Sequence, residues 1–199
     1  MAKLPALSYT GPRQKLAEKF HMDEKLLVEL NPRTDFGRSR MHIAVANVGP
    51  RQPAKAARIF VDKQNRSLSA FDGEGRLVGF YPASVGSREK PAPTGVYKVR
   101  SIALNPTYHY DPKFAFKGVK VEHKLTISPG PNNPVGVVWI DLSAPSYGIH
   151  GTPAPQSIGK TESHGCIRLT NWDALDLASR VSRGTIVDLS ENEPHRASR

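Results

Sequence analysis

A chain of 199 residues, 38% hydrophobic and 23% charged, has ordinary globular composition and length enough for one or two packed domains. Lysine and arginine exceed aspartate and glutamate by 10, which suits an anionic partner, but the basic residues are scattered and no helix-turn-helix or zinc module accompanies them, so a nucleic-acid binder is disfavoured. No stretch approaches the roughly 18 apolar residues of a membrane span, which argues against a transmembrane segment.

In chain order, residues 1–9 lack the apolar core of a signal peptide, so the expectation is either a cytosolic protein or a mature or trimmed chain. Leu7 and Tyr9 open a short strand. Residues 13–20 read as a helix with Leu16, Ala17 and Phe20 on one face. Asp23 caps a second short helix carrying Leu26, Leu27 and Leu30, which Asn31-Pro32 ends. Met41, Ile43 and Val45 then alternate with His42 and Ala44 as in a half-buried strand. The result is a small βααβ module over residues 5–49, marginal in stability alone. The stretch Y-T-G-P-R-Q-K-L-A-E-K-F-H-M-D-E-K-L-L-V-E-L-N-P resembles a divergent lysin motif through its "LAEKF" and "LLVELNP" helices, although the usual Gly-Asp-Thr after the first strand is missing. That resemblance implies binding to glycan strands containing N-acetylglucosamine; a plain structural accessory domain is the alternative.

Gly49-Pro50-Arg51-Gln52-Pro53 marks a linker, taken as residues 50–56. Short strands follow at 57–61 and 67–71, with hairpin chemistry at Asp72-Gly73-Glu74-Gly75 and a return at 76–84. Pro93-Thr94-Gly95 turns into a strand at 96–102, residues 105–134 are irregular, and 135–142 is a strongly apolar strand. Thr170 to Asp173 offers a capping box for a helix with Leu175, Ala178 and Val181 inward, ended by Gly184 and followed by a strand at 185–189. Residues 57–190 are therefore mainly β, a sandwich or barrel-like domain with one helix in its C-terminal half, and 191–199 form a loose tail.

The only cysteine, Cys166, lies in S-H-G-C-I-R-L, and His150 ends Y-G-I-H-G-T upstream. Three readings compete. A lone cysteine is often a buried, inert packing residue, but Gly165 beside it and Gly151 beside His150 give backbone freedom that packing does not require. Two histidines and a cysteine match a zinc ligand set, yet no C-x-x-C pair or H-E-x-x-H helix supports one, so no metal is expected. A nucleophilic thiol needs a base or cation beside it, which His150 or His164 and Arg168 supply.

The run H-G-T-P-A-P-Q-S-I-G-K-T-E-S-H-G-C-I-R-L resembles the signature of the L,D-transpeptidase catalytic family. The helix N-W-D-A-L-D-L-A after it, and P-T-G-V-Y-K-V, N-P-T-Y-H-Y and P-G-P-N-N-P-V-G-V-V-W-I-D-L before it, extend the resemblance over residues 55–190. It implies that Cys166 is the nucleophile and His150 its base, with His164 a further catalytic candidate. Some relatives carry Ser or Asp after this histidine; Gly151 stands here, so a backbone carbonyl is expected to orient the ring. Ser163, His164 and Gly165 would shape an oxyanion hole with the Cys166 N–H, Arg168 would hold the loop and bias the thiolate, and Tyr147, Tyr108, His109 and Tyr110 would line the substrate cleft. The implied reaction is attack on the diamino acid at the third position of a peptidoglycan stem, release of D-alanine and a 3→3 crosslink. L,D-carboxypeptidase action or non-catalytic wall binding are the alternatives. No cofactor is needed, stem peptides and glycan strands are the partners, a carbapenem should acylate the thiol, and a monomer in the periplasm or cell envelope is expected.

Overall fold

The computed structural model describes residues 3–46, 54–87, 91–112, 121–160 and 165–190. Its sheet starts from local turn chemistry. The Asp72 carboxylate accepts the N–H groups of Glu74 and Arg76, both at 2.9 Å, while Gly75 takes a positive φ of 78° that favours glycine. This turn joins β2 (Ser67–Phe71) to β3 (Leu77–Pro82), and β2 also pairs antiparallel with β1 (Arg58–Asp62).

The remaining strands are β4 (Ser84–Val85), β5 (Val96–Leu104), β6 (Tyr108–Tyr110), β7 (Leu125–Ile127), β8 (Val138–Leu142), β9 (Gly148–His150), β10 (Ile167–Arg168) and β11 (Ile186–Asp188). Among the described residues, nine strands form one sheet in the order β3-β2-β1-β11-β5-β8-β9-β10-β4, and β6 pairs with β7 separately. β3 and β4 stand at opposite edges although Ala83 alone separates them in sequence. The sheet must therefore curl back almost to closure, which is the mainly β, barrel-like architecture expected from the sequence.

Helix α3 (Asn171–Arg180) covers this core. Thr170 caps it by accepting the Asp173 N–H at 3.1 Å and donating its hydroxyl to the Asp173 carboxylate at 2.8 Å. Ala174 and Leu177 are fully buried against Ile59, Val61, Leu68, Ile140 and Ile149. The expected inward stripe of Leu175, Ala178 and Val181 is thus rotated by about one residue: Leu175 is exposed, and Ala174 and Leu177 take its place beside Val181. The rotation brings Asp176 and Arg180 inside, where Asp176 accepts from Tyr81 Oη at 2.6 Å and Arg180 Nε at 2.9 Å.

At the N-terminus, α1 (Pro12–Lys19) begins with proline at its first turn, and α2 (Glu24–Leu30) is capped by Asp23, which accepts the Lys25 N–H at 2.8 Å. Ala17, Met22 and Leu27 form their small core. The flanking strands anticipated at Leu7–Tyr9 and Met41–Val45 do not form. Leu7 spends its backbone groups on a loop instead: its N–H donates to Pro129 O at 2.9 Å and its carbonyl accepts from Asn132 N at 3.0 Å. Ala44 likewise finds both partners in the Asn31 side chain, at 2.7 and 2.8 Å. The hydrogen bonds of Leu7 and Ala44 go to a loop and an amide rather than to another strand.

Candidate active site

The two sequence segments singled out around His150 and Cys166 meet as β9 and β10. These pair in parallel, with Ile149 opposite Ile167 and His150 opposite Arg168. Both isoleucines are fully buried, which anchors the pair in the core. Leu169 N–H donates to the His150 carbonyl at 2.9 Å and extends the ladder. Partners in a parallel pair project to one face, so His150 and Arg168 share a face, and Cys166 lies one alternation back from Arg168.

His150 is buried, and its Nδ1 lies 2.7 Å from the Gly151 carbonyl oxygen. A carbonyl only accepts, so Nδ1 carries the proton and Nε2 keeps its lone pair. The ring's pKa is pushed down to about 4, chiefly by burial, with the Gly151 hydrogen bond opposing the shift and the nearby Arg168 guanidinium adding to it. The imidazole is therefore neutral across the physiological range. Trp139, opposite His150 on β8, stacks on the ring with centroids 5.4 Å apart and planes 22° apart. The aromatic face fixes the ring plane while the Gly151 carbonyl fixes its rotation.

Cys166 is half-buried. Gly165 before it has φ of 105°, and a Cβ there would fall 2.9 Å from the Tyr147 ring. The Cys166 Sγ lies 3.9 Å from the Ser146 carbonyl oxygen, within reach for a weak S–H donor. Ser146 and Tyr147 thus wall one side of the thiol. Burial lowers the pKa of Arg168, and the charge of Cys166 opposes that effect, which places the guanidinium within electrostatic reach of the sulfur.

The tyrosine-rich stretch falls on β6. Tyr108 is raised in pKa by burial, by Tyr110 and by Cys166, so it shares the thiol's surroundings. His109 points the other way, exposed, with Nδ1 3.5 Å from Thr126 Oγ1. Tyr110 is buried and donates to the Val121 carbonyl at 3.2 Å. Ser163 and His164 lie outside the described residues. Among the described residues, no group of three His, Cys, Asp or Glu side chains is placed to hold a metal.

Two contributors were not assigned from the sequence: the Ser146 carbonyl and Asn171, whose amide packs against Gly151. Glycine beside His150 was the signal available for the last, since it marks a close approach.

The family model of the L,D-transpeptidase catalytic domain matches residues 56–189. The chain belongs to this family. It is similar to YkuD of Bacillus licheniformis, named as an L,D-transpeptidase, with 32% identity over 178 residues, 89% of this chain and 92% of the relative. YqjB of Bacillus subtilis, named likewise, is 30% identical over 67% of this chain and 71% of its own length. Among solved structures, an L,D-transpeptidase from Mycobacterium smegmatis superposes with a TM-score of 0.53 at 20% identity, covering 67% of this chain and 58% of that one. L,D-transpeptidase 3 from Mycobacterium tuberculosis, in complex with a faropenem-derived adduct, gives 0.54 at 19% identity, covering 68% and 60%. This chain spans less than two thirds of either structure, and the likeness to them is one of fold. Among the described residues, no helix of this L,D-transpeptidase family member is long and apolar enough to cross a membrane.

Proposed function

We propose that this chain is a peptidoglycan L,D-transpeptidase of the cell envelope, with Cys166 as nucleophile and His150 as general base. The observation that carries the reading is the parallel pairing of β9 and β10, which brings a neutral, tautomer-fixed histidine to the strand beside the thiol. The imidazole is neutral at rest, so its Nε2 can accept the thiol proton. The thiol proton passes to Nε2 as sulfur attacks the carbonyl of the third stem residue. The tetrahedral oxyanion is stabilised by N–H groups around Gly165 and Cys166, with Ser163 and His164 shaping that loop. Nε2 then returns the proton to the departing D-alanine amine, leaving a thioester. The amine of a second stem attacks, gives its proton to Nε2, and releases the thiol as the 3→3 crosslink forms. Arg168 favours negative charge on sulfur, and Tyr147 and Tyr108 line the acyl site, with His109 and Tyr110 on the same strand as Tyr108.

Residues 57–190 serve as the catalytic unit on this reading, residues 50–56 as a linker, residues 5–49 as a glycan-binding module, and residues 191–199 as a tail. The test is incubation of tetrapeptide muropeptides with wild type and Cys166→Ala, read by mass spectrometry. Crosslinked dimers from wild type alone are expected; dimers from Cys166→Ala would remove the nucleophile assignment. Hydrolysed stems without dimers would instead mark water as the acceptor. A solved relative in fold carries a faropenem-derived adduct. A penem or carbapenem should likewise add its mass to wild type and not to Cys166→Ala.

A further inference from the structure

Behind His150 lies a polar junction that the chemistry above does not use. Asn171, the first residue of α3, is 1% exposed. Its Oδ1 accepts the Val137 N–H at 3.2 Å. Its Nδ2 donates to the carbonyls of Pro131 and Thr152, both at 3.1 Å, and to Glu18 Oε1 at 3.5 Å. One amide therefore ties together the loop before β8, the chain leaving β9, and helix α1.

Asn171 also packs closely on the chain leaving β9 and on the loop before β8. A Cβ on Gly151 would stand 2.2 Å from Asn171 Oδ1, and one on Gly136 would stand 2.0 Å from the same atom and 2.7 Å from the Gly151 carbonyl carbon. Glycine at both positions lets the amide oxygen come close to the backbone that follows His150. The Gly151 N–H is held by the Val138 carbonyl at 3.3 Å, and the Thr152 carbonyl by Asn171. The peptide whose carbonyl accepts His150 Nδ1–H is thus fixed on both sides.

Helix α1 completes the junction. Glu18 is buried, and its second carboxylate oxygen accepts from Tyr9 Oη at 2.8 Å. Gln14 Nε2 donates to the Pro153 carbonyl at 3.3 Å, and His21 Nδ1 lies 3.1 Å from Asp173 Oδ1. The N-terminal helix pair is therefore docked on the backbone just beyond His150 and on the first turn of α3.

The geometry points to Asn171 as a positioning residue for His150: it grips the Gly151–Thr152 backbone so that the Gly151 carbonyl holds the imidazole in its Nδ1–H tautomer, with Glu18 as the outer brace on the amide. The N-terminal helix pair is then part of the active-site support, independent of any glycan it binds. This rests on the reading of His150 as the general base.

The tautomer is read by nitrogen NMR of the imidazole in the full chain without substrate, and kcat and KM by turnover of tetrapeptide stems. Asn171→Ala should mix the His150 tautomers and lower kcat roughly 10–100-fold, the range expected for sub-ångström loss of placement, with KM little changed. Asn171→Asp is the second variant. It keeps an oxygen for Val137 N–H and suits a helix first turn, but loses the donors to Thr152 and Pro131, and should shift the tautomer in the same direction. Glu18→Ala should give a smaller fall that Glu18→Gln restores, because glutamine keeps an acceptor for Asn171. An unchanged His150 tautomer in a folded Asn171 variant overturns the proposal, as does a fall in kcat with the imidazole signals unmoved. If neither Asn171 variant folds, the same signals in Glu18→Ala and Glu18→Gln decide: equal signals in the two overturn the brace. A wild type that shows the Nδ1–H tautomer but turns over no stem peptide sinks the base assignment alone, and the NMR comparison still decides the role of Asn171.

Discussion

His150 hands its Nδ1–H to the carbonyl of its own successor, Gly151, at 2.7 Å. The group that orients the histidine is therefore main chain, and no single side-chain deletion removes it directly. Control of the ring passes to whatever holds that peptide, which is why Asn171, Gly136 and Val138 matter to a site they do not enter.

The burial of His150 should be visible in stability. The unfolded imidazole takes a proton near pH 6.5, and the folded one resists until about pH 4. Between those values the unfolded state binds more protons, so stability falls as pH drops from 6.5 to 4 and the effect then levels off. The full difference is on the order of 3 kcal/mol. His150→Gln should flatten this part of a denaturation profile relative to wild type; parallel profiles for the two proteins would contradict the buried neutral ring.

Gly165, next to the thiol, cannot take a side chain without strain. Its φ of 105° lies where L residues are strained, and a Cβ would press to 2.9 Å on the Tyr147 ring. Gly165→Ala should either rotate the Cys166 N–H away from its present direction or displace Tyr147. Acylation of Cys166 by a penem should slow by roughly 10²-fold, as for loss of an oxyanion donor. Acylation at the wild-type rate would show that this backbone conformation is dispensable.

Much of the fold was legible because its signals are local. Asp23 and Thr170 cap helices through side chains two and three residues away, and the strand at Ser67–Phe71 carries its turn beside it. What was missed depends on partners far along the chain. β9 and β10 have three and two residues, too short for any period, and exist because each lies between two sheet neighbours, β9 between β8 and β10 and β10 between β9 and β4. Residues 41–45 look like a strand, yet Ala44 among them pairs with the Asn31 amide, which alternation cannot reveal. At the site, the glycines and spacing around His150 and Cys166 pointed to the chemistry. Asn171 did not stand out, because asparagine at the start of a helix reads as ordinary capping; its buried amide becomes meaningful only once Gly136 and Gly151 are seen against it.

Leu177 tests how firmly α3 is seated. It is fully buried among strand residues of both halves of the sheet, and removal of its side chain leaves a cavity that rigid strands cannot fill. Leu177→Ala should cost about 2–5 kcal/mol, read from the urea midpoint at unchanged slope. Leu175→Ala, at the exposed neighbouring position, should cost well under that. Equal losses would mean that the helix is rotated back toward the face expected from its sequence.

Glu18 gives the opposite pH dependence to His150. Burial raises its pKa from 4.5 to about 7, with Asp173 adding to the effect and the hydrogen bonds from Tyr9 and Asn171 working against it. The unfolded carboxyl ionises near 4.5 while the folded one keeps its proton until about 7, so the folded state binds more protons in that window. Stability contributed at this site therefore falls as pH rises from 4.5 to 7, by at most roughly 3 kcal/mol. Glu18→Gln removes the titration. Its oxygen still accepts from Asn171, and its amide nitrogen can donate to Tyr9 Oη. The variant should match wild type near pH 4.5 and exceed it increasingly up to pH 7, with a constant gap above. A gap that is the same at pH 5 and pH 8 would show that the buried carboxyl does not titrate in this range, and that the junction between α1 and α3 holds a charge compensated by groups beyond Tyr9 and Asn171.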